Sequence, residues 1–176
     1  METARLELRP IVEDDLDALV ELDGFAAVRD AIDPFREHIP DDPAQRREYE
    51  RQLVGNAGFV AAVERQSGRL VGWFQCQLAD DGSGELELGY RLRPDAWGKG
   101  LASEGAAALL ADALARPEVT RVYAHALLSN PASLRVMEKI GMTYARAWDY
   151  KGVPGAEYEA RPGAQYDARP GAPRAG

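Results

Sequence analysis

The chain has 176 residues, 45% of them hydrophobic and 28% charged, which is length and apolar content enough for one globular domain with a core of its own. A formal net charge of −8 argues against nucleic acid as a main partner, because a phosphate backbone needs a basic face; it suits a cationic acceptor such as an amine. The single Cys76 excludes an intrachain disulfide and a cysteine metal cluster, and no apolar run approaches the roughly 18 residues of a membrane helix, so neither metal nor membrane partner is expected. Arg5, Glu7 and Arg9 interrupt any signal-peptide core, and a cytoplasmic location is the expectation.

The N-terminal segment alternates from Arg5 to Arg9 and stops at Pro10, which reads as a short strand. Asp14 and Asp15 can cap a helix whose apolar positions include Leu16, Leu19, Val20 and Leu22. Residues 24–38 show no period. Asp42-Pro43 has the form of an N-cap with proline at the first helical position, opening a helix to about Val54 that Gly55 closes. Its charges, Arg46, Arg47, Glu48, Glu50 and Arg51, read mostly as a solvated face.

Residues 59–64 and 69–78 form strands across a turn at Gln66-Ser67-Gly68, with Leu70, Gly72, Phe74 and Cys76 on one face. Cys76 is most simply a small core residue. With the strand that follows, three hairpin-linked strands and helices before and after imply an α+β fold with a mostly antiparallel sheet.

Residues 86–114 organise the chain. Leu86, Leu88, Tyr90 and Leu92 alternate with Glu87, Gly89, Arg91 and Arg93, a strand that Pro94 ends. After Gly100, Ala102, Ala106, Leu109, Leu110 and Ala113 recur at helical spacing, so Gly98 and Gly100 sit in a tight strand-to-helix turn. Glycines let the chain bend and let a ligand come close to the backbone. The first helical N–H groups lack intrahelical partners, so such a turn makes a nest for a phosphate. A P-loop would need glycine where Arg93 stands and Ser or Thr where Gly100 stands; a Rossmann fingerprint would need glycine at Ser103 and an acid in the next strand. Both patterns fail.

A strand follows over residues 121–126, reached through a full helix and so expected parallel to the strand of residues 86–93. Two parallel strands that part leave a slot between them. Asn130 is a natural N-cap and Pro131 a natural first helical residue; Leu134, Met137 and Ile140 point inward and Gly141 ends the helix. Residues 142–150 read as a strand, Gly152-Val153-Pro154-Gly155 as a turn and residues 156–160 as a last strand.

Two motifs carry a family resemblance. Trp97-Gly98-Lys99-Gly100-Leu101-Ala102 resembles the coenzyme A pyrophosphate loop of the GNAT N-acetyltransferases, Arg/Gln-x-x-Gly-x-Gly/Ala, in its variant with tryptophan first. One strand later, Asn130-Pro-Ala-Ser133 and then Glu138-Lys-Ile-Gly141-Met142 resemble the Asn-x-x-Ser and Glu-Lys-x-Gly-Phe/Met signature of the RimJ/RimL-like branch. The resemblance covers roughly residues 5–160. It implies the GNAT fold: a mixed, mostly antiparallel central sheet flanked by helices, with parallel strands splayed at the cofactor site. The implied activity is transfer of acetyl from acetyl-CoA to a primary amine, on a protein N-terminus or a small molecule, by direct attack in a ternary complex. A non-catalytic acyl-CoA-binding or sensing domain of the same fold is the alternative, and self-association as a homodimer is compatible with either.

The resemblance also assigns residues. Backbone groups of Leu92 and Arg93 would hold the pantetheine arm like an added strand, and amides from Trp97 through Gly98, Lys99, Gly100 and Leu101 to Ala102 would hold the pyrophosphate. Asn130 would bond the pantetheine or its neighbouring backbone, and a plain cap satisfies the same position. Glu87 takes the slot of the general base, where an exposed strand glutamate fits equally. An N–H near Leu92 would meet the oxyanion. Many GNAT enzymes place a tyrosine acid seven residues after the asparagine; this chain has Met137, and Ser133 is the replacement the branch suggests. His38 and His125 read as structural, since nothing in the sequence pairs them with a carboxylate.

The tail repeats Tyr158-Glu-Ala-Arg-Pro-Gly163 as Tyr166-Asp-Ala-Arg-Pro-Gly171. It is rich in proline, glycine and alanine, so the expectation is a GNAT domain over residues 1–160 and a flexible tail over 161–176.

Overall fold

The structure is a computed structural model, described here for residues 1–32, 38–78 and 82–163. Residues 164–176, most of the expected tail, lie outside the described residues. The elements run β1 (Leu6–Pro10), α1 (Leu16–Leu22), α2 (Ala26–Ala31), α3 (Pro43–Arg51), β2 (Phe59–Glu64), β3 (Arg69–Leu78), β4 (Glu85–Leu92), α4 (Leu101–Leu114), β5 (Arg121–Leu127), α5 (Pro131–Lys139), β6 (Thr143–Tyr150) and β7 (Val153–Ala160). One seven-stranded sheet has the order β1-β2-β3-β4-β5-β7-β6. Every pairing is antiparallel except β4 with β5, and that parallel pair lasts only from Glu85 opposite Arg121 to Glu87 opposite Tyr123. Among the described residues no helix is long and apolar enough to cross a membrane.

Alternation along the strands sends apolar residues to two cores. Leu86, Leu88 and Leu92 of β4 pack with Val122, Ala124 and Ala126 of β5 under α4 and α5. On the opposite face Leu70 and Trp73 meet Leu16, Leu19 and Leu22 of α1. The sequence expectation grouped Leu70 with Phe74. A register shift between Ala62 and Val63 inserts Val71 as an extra residue, so Leu70 joins Trp73 and Val71 joins Phe74.

Other boundaries also shift. The helix opening at Asp42, whose Oδ1 accepts from the Ala44 and Gln45 amides, ends at Arg51 rather than Val54. Its face is not all solvated: Arg46 and Glu50 are buried. Arg46 donates to the carbonyls of Pro40, Val20 and Asp41 at 3.1, 3.2 and 2.9 Å. Burial pushes the Glu50 carboxyl up to about 9, so it is neutral beside Asp23. The last hairpin turns at Lys151 (φ 53°) and Gly152 (φ 85°), a two-residue turn with both residues left-handed, and β7 already begins at Val153. β7 then inserts between β5 and β6.

Candidate active site

Where β4 and β5 part, a cavity of about 450 Å³ opens. Its walls come from β4, the start of α4, α5 and the end of α2. The backbone explains why β4 is left bare on this side. Arg93 N–H donates to Val71 C=O at 2.8 Å, which fixes the alternation of the β3–β4 ladder. Odd-numbered residues of β4 therefore bond β3, and even-numbered residues turn their N–H and C=O toward β5. β5 stops pairing at Tyr123, so Tyr90 and Leu92 face the cleft instead of a strand.

The loop after β4 is built to end in a helix start. Trp97 Nε1 donates to Leu92 C=O at 2.7 Å, folding the loop back over the strand end. Gly98 and Gly100 have φ of 71° and 79°, values that favour glycine over any residue with a Cβ. Among the described residues nothing lies within 4 Å of a Cβ placed on Gly98. The first α4 bond runs from the Glu104 amide to the Gly100 carbonyl at 3.0 Å, so the Leu101, Ala102 and Ser103 amides lie ahead of the helical ladder beside the cavity. The N-terminal segment clamps this turn: Thr3 Oγ1 and the Arg5 amide donate to Glu104 Oε1 at 2.5 and 2.7 Å, and Arg5 donates to Glu104 Oε2 and to the Lys99 carbonyl, each at 2.7 Å.

On the far wall, Asn130 Oδ1 accepts from the Ser133 amide at 3.1 Å and caps α5, while Nδ2 donates to the Ala31 carbonyl of α2 at 3.2 Å. Ser133 Oγ stands 3.1 Å from the Tyr90 hydroxyl. Ala132, Arg135, Val136 and Lys139 are spaced three or four apart and line the wall with one face of α5. Arg135 and Lys139 of α5, with Arg91 of β4, thus place three cationic residues along the cavity of an acidic protein.

The sequence candidates divide. Leu92, Trp97, Gly98, Gly100, Leu101, Ala102, Asn130 and Ser133 line the cavity. Lys99 does not; its carbonyl is held by Arg5. Arg93 does not either. Its amide is engaged by Val71, and its guanidinium donates to Glu21 at 2.7 and 3.2 Å and lies 4.8 Å above the Phe25 ring. Arg93, with Arg91 donating to Asp23 at 2.5 Å, ties α1 to β4 and so holds the wall that α2 supplies.

Glu87 is the last β4 residue to pair with β5, and its side chain lies on the face away from α4. The expectation that no carboxylate pairs with His125 is overturned. His125 Nδ1 lies 3.6 Å from Glu87 Oε1, and Nε2 lies 2.9 Å from Glu157 Oε2. The ring stacks on Trp148 at 4.4 Å. Neighbouring strands bring these residues together across a sequence separation that no local pattern records. Tyr90, α2 and the α5 cations were likewise not singled out from sequence; the spacing of residues 132, 135, 136 and 139 was the available signal for the last.

A parted parallel pair leading to a bare helix start, on a seven-stranded mixed sheet flanked by helices, matches the GNAT fold. Residues 5–143 match the acetyltransferase (GNAT) domain, and the chain belongs to that family. It is 27% identical over 158 residues to the FsC-acetyl coenzyme A-N(2)-transacetylase of Aspergillus fumigatus, covering 84% of this chain but only 66% of that protein, just under two thirds of its length. In fold it resembles a GNAT-family acetyltransferase from Bacillus anthracis (TM-score 0.76, 24% identity, 90% and 95% of the two chains). It also resembles RimL, the ribosomal L7/L12 α-N-protein acetyltransferase, solved with coenzyme A (TM-score 0.74, 18% identity, 95% and 97%).

Proposed function

We propose that this enzyme moves an acetyl group from acetyl-CoA to a primary amine by direct attack in a ternary complex, within the RimJ/RimL-like branch. The observation that carries the reading is the early end of β4–β5 pairing at Glu87 and Tyr123, which leaves strand-edge groups beside a cavity that runs to the α4 amides. An extended pantetheine arm fits the first as an added strand, and a diphosphate fits the second. Hydrogen bonds to a charged group contribute roughly 1.5–3 kcal/mol each, so a few amides hold a diphosphate without a lysine cluster. Lys139 and Arg135 add positive charge at the same cavity.

In this account Glu87 takes the proton that the amine must lose before attack, directly or through water. The amine nitrogen then adds to the thioester carbonyl. A β4 N–H on the cleft side, at Leu92 or its neighbour Tyr90, meets the oxyanion. Collapse breaks the C–S bond, and Ser133 faces the departing sulfur. The names of the relatives span an N(2) amine and a protein α-amine. Those names support an amine as the acceptor class.

The test is release of free thiol from acetyl-CoA by the purified protein over a panel holding peptide N-termini, an aminoglycoside, a polyamine and simple primary amines. Thiol release with matched N-acetyl product is expected for at least one amine. Saturable acetyl-CoA binding with no turnover on any of them would instead make the chain an acyl-CoA-binding domain.

A further inference from the structure

Two hydroxyls meet across the cleft. Tyr90 reaches in from β4 and Ser133 from the first turn of α5, and their oxygens stand 3.1 Å apart. Both residues line the cavity. Capping of the Ser133 amide by Asn130 fixes that turn and leaves the serine hydroxyl to Tyr90 and the cavity. The Tyr90 ring is seated 5.7 Å from the Phe74 ring and packs on the core, and its hydroxyl has no second partner among the described residues. Burial pushes the phenol above its ordinary value, so it keeps its proton at neutral pH. A serine hydroxyl alone is a poor acid. One turn further along α5, Met137 has no proton to give and is buried in the core.

We propose that Tyr90 and Ser133 form a two-hydroxyl relay that returns a proton to the departing coenzyme A sulfur. Ser133 donates to the sulfur, and Tyr90 is the positioning residue that holds the serine and replenishes its proton. The relay rests on the acetyl-transfer reading above. As the C–S bond breaks, its electron pair stays on sulfur. Sulfur takes the Ser133 proton, Ser133 takes the Tyr90 proton, and the phenolate takes one from water at the cavity mouth. The acceptor nitrogen has meanwhile lost two protons, one to Glu87 before attack and one to water as the adduct collapses to the amide. Glu87 passes its own on to water. Sulfur takes one back through the relay, so acetylation of an ammonium releases one proton net and the count closes.

The experiment is single-turnover acetyl transfer at saturating acceptor in the wild-type protein, Tyr90→Phe, Ser133→Ala and the double variant, with acetyl-CoA affinity measured by calorimetry on each. Phenylalanine keeps the ring and its packing. The relay predicts that Tyr90→Phe slows the chemical step by about 100-fold while acetyl-CoA affinity moves less than about twofold. It predicts that the double variant is no slower than the slower single variant, because both changes cut one path. A Tyr90→Phe rate within about threefold of wild type, losses that multiply in the double variant, or a rate loss matched by weaker acetyl-CoA binding would each overturn the relay. In those outcomes wild-type turnover still stands. A wild-type protein that releases no thiol with any amine removes the acetyl-transfer reading itself.

Discussion

Nε2 of His125 stands 2.9 Å from Oε2 of Glu157, its partner in the β5–β7 register. Through His125 the contact joins Glu87, which does not line the cavity, to a buried charge network. Glu157, only 2% exposed, also accepts from Arg121 and, at 2.8 Å, from Arg146, and Arg121 reaches on to Glu159 at 2.6 Å and Glu85 at 3.2 Å. A strand inserted late in the chain thus brings the charges that steady the region behind the proposed base.

That network makes stability depend on pH in two windows. Burial works to raise the Glu157 carboxyl, but hydrogen bonds from Arg146, Arg121 and His125 outweigh it and hold it at about 2. Its contribution is present above the ordinary carboxylate value and is lost as pH falls toward 2. Burial works to lower His125, and the carboxylates of Glu87 and Glu157 outweigh that and raise it. Its contribution is full below 6.5 and fades as pH rises through the higher folded value. Glu157→Gln is expected to flatten both windows in melting curves from acid to alkaline pH. The same variant should lose about 3 kcal/mol at neutral pH, the low end for a broken buried pair, because Arg121 keeps Glu85 and Glu159.

Glu104 fixes the α4 turn from behind. Its carboxylate accepts from Thr3, from the Arg5 amide and from the Arg5 guanidinium, and these bonds hold it below the usual carboxylate range against the opposing effect of burial. Glu104→Ala is expected to cost roughly 1–3 kcal/mol in chemical denaturation, since it leaves several donors unpaired. It should also weaken acetyl-CoA binding by freeing the loop.

Gly105 sets how closely α4 lies on the sheet. A Cβ there would stand 2.3 Å from the Phe74 ring, and Phe74 is fully buried. Alanine gains about 1 kcal/mol of helix propensity over glycine, whereas overpacking a tight core costs roughly 1–3 kcal/mol. With a wedge as close as this one, the clash wins. Gly105→Ala should lower the melting temperature, where propensity alone predicts a rise.

Gly98 gives the opposite test. No atom of the described residues would meet a Cβ there, so Gly98→Ala carries only the backbone cost of a left-handed residue, about 1–2 kcal/mol. Escape from that strain reshapes the turn. Acetyl-CoA affinity is expected to fall by about tenfold with little change in melting temperature, as paired calorimetry and thermal scans would show.

The centre of the site was legible in the sequence because its signals are local. Alternation through Leu86, Leu88 and Leu92, the stop at Pro94 and the two glycines fix a strand, a turn and a helix start within about twenty residues of chain. The cap at Asn130 and Pro131 is local in the same way. What stayed hidden depends on distance or brevity. Six-residue α2 is too short to show a period, yet its Val28 and Ala31 line the cavity. Pro154 and Gly155 drew the turn assignment away from Lys151 and Gly152, because a strand can carry proline near its first residue. The partners of His125, and the charged neighbours Asp23 and Arg91 of buried Glu50, come from other elements, and no spacing rule points to them.

The most direct test is a calorimetric titration of the purified protein with acetyl-CoA and, separately, with acetyl-pantetheine, which keeps the thioester arm and lacks the diphosphate and nucleotide. If the α4 amides grip the diphosphate, acetyl-CoA saturates one site per chain and acetyl-pantetheine binds at least about 100-fold more weakly, the loss of roughly two charged hydrogen bonds. Equal affinities, or no saturation by acetyl-CoA at millimolar concentration, would contradict the account.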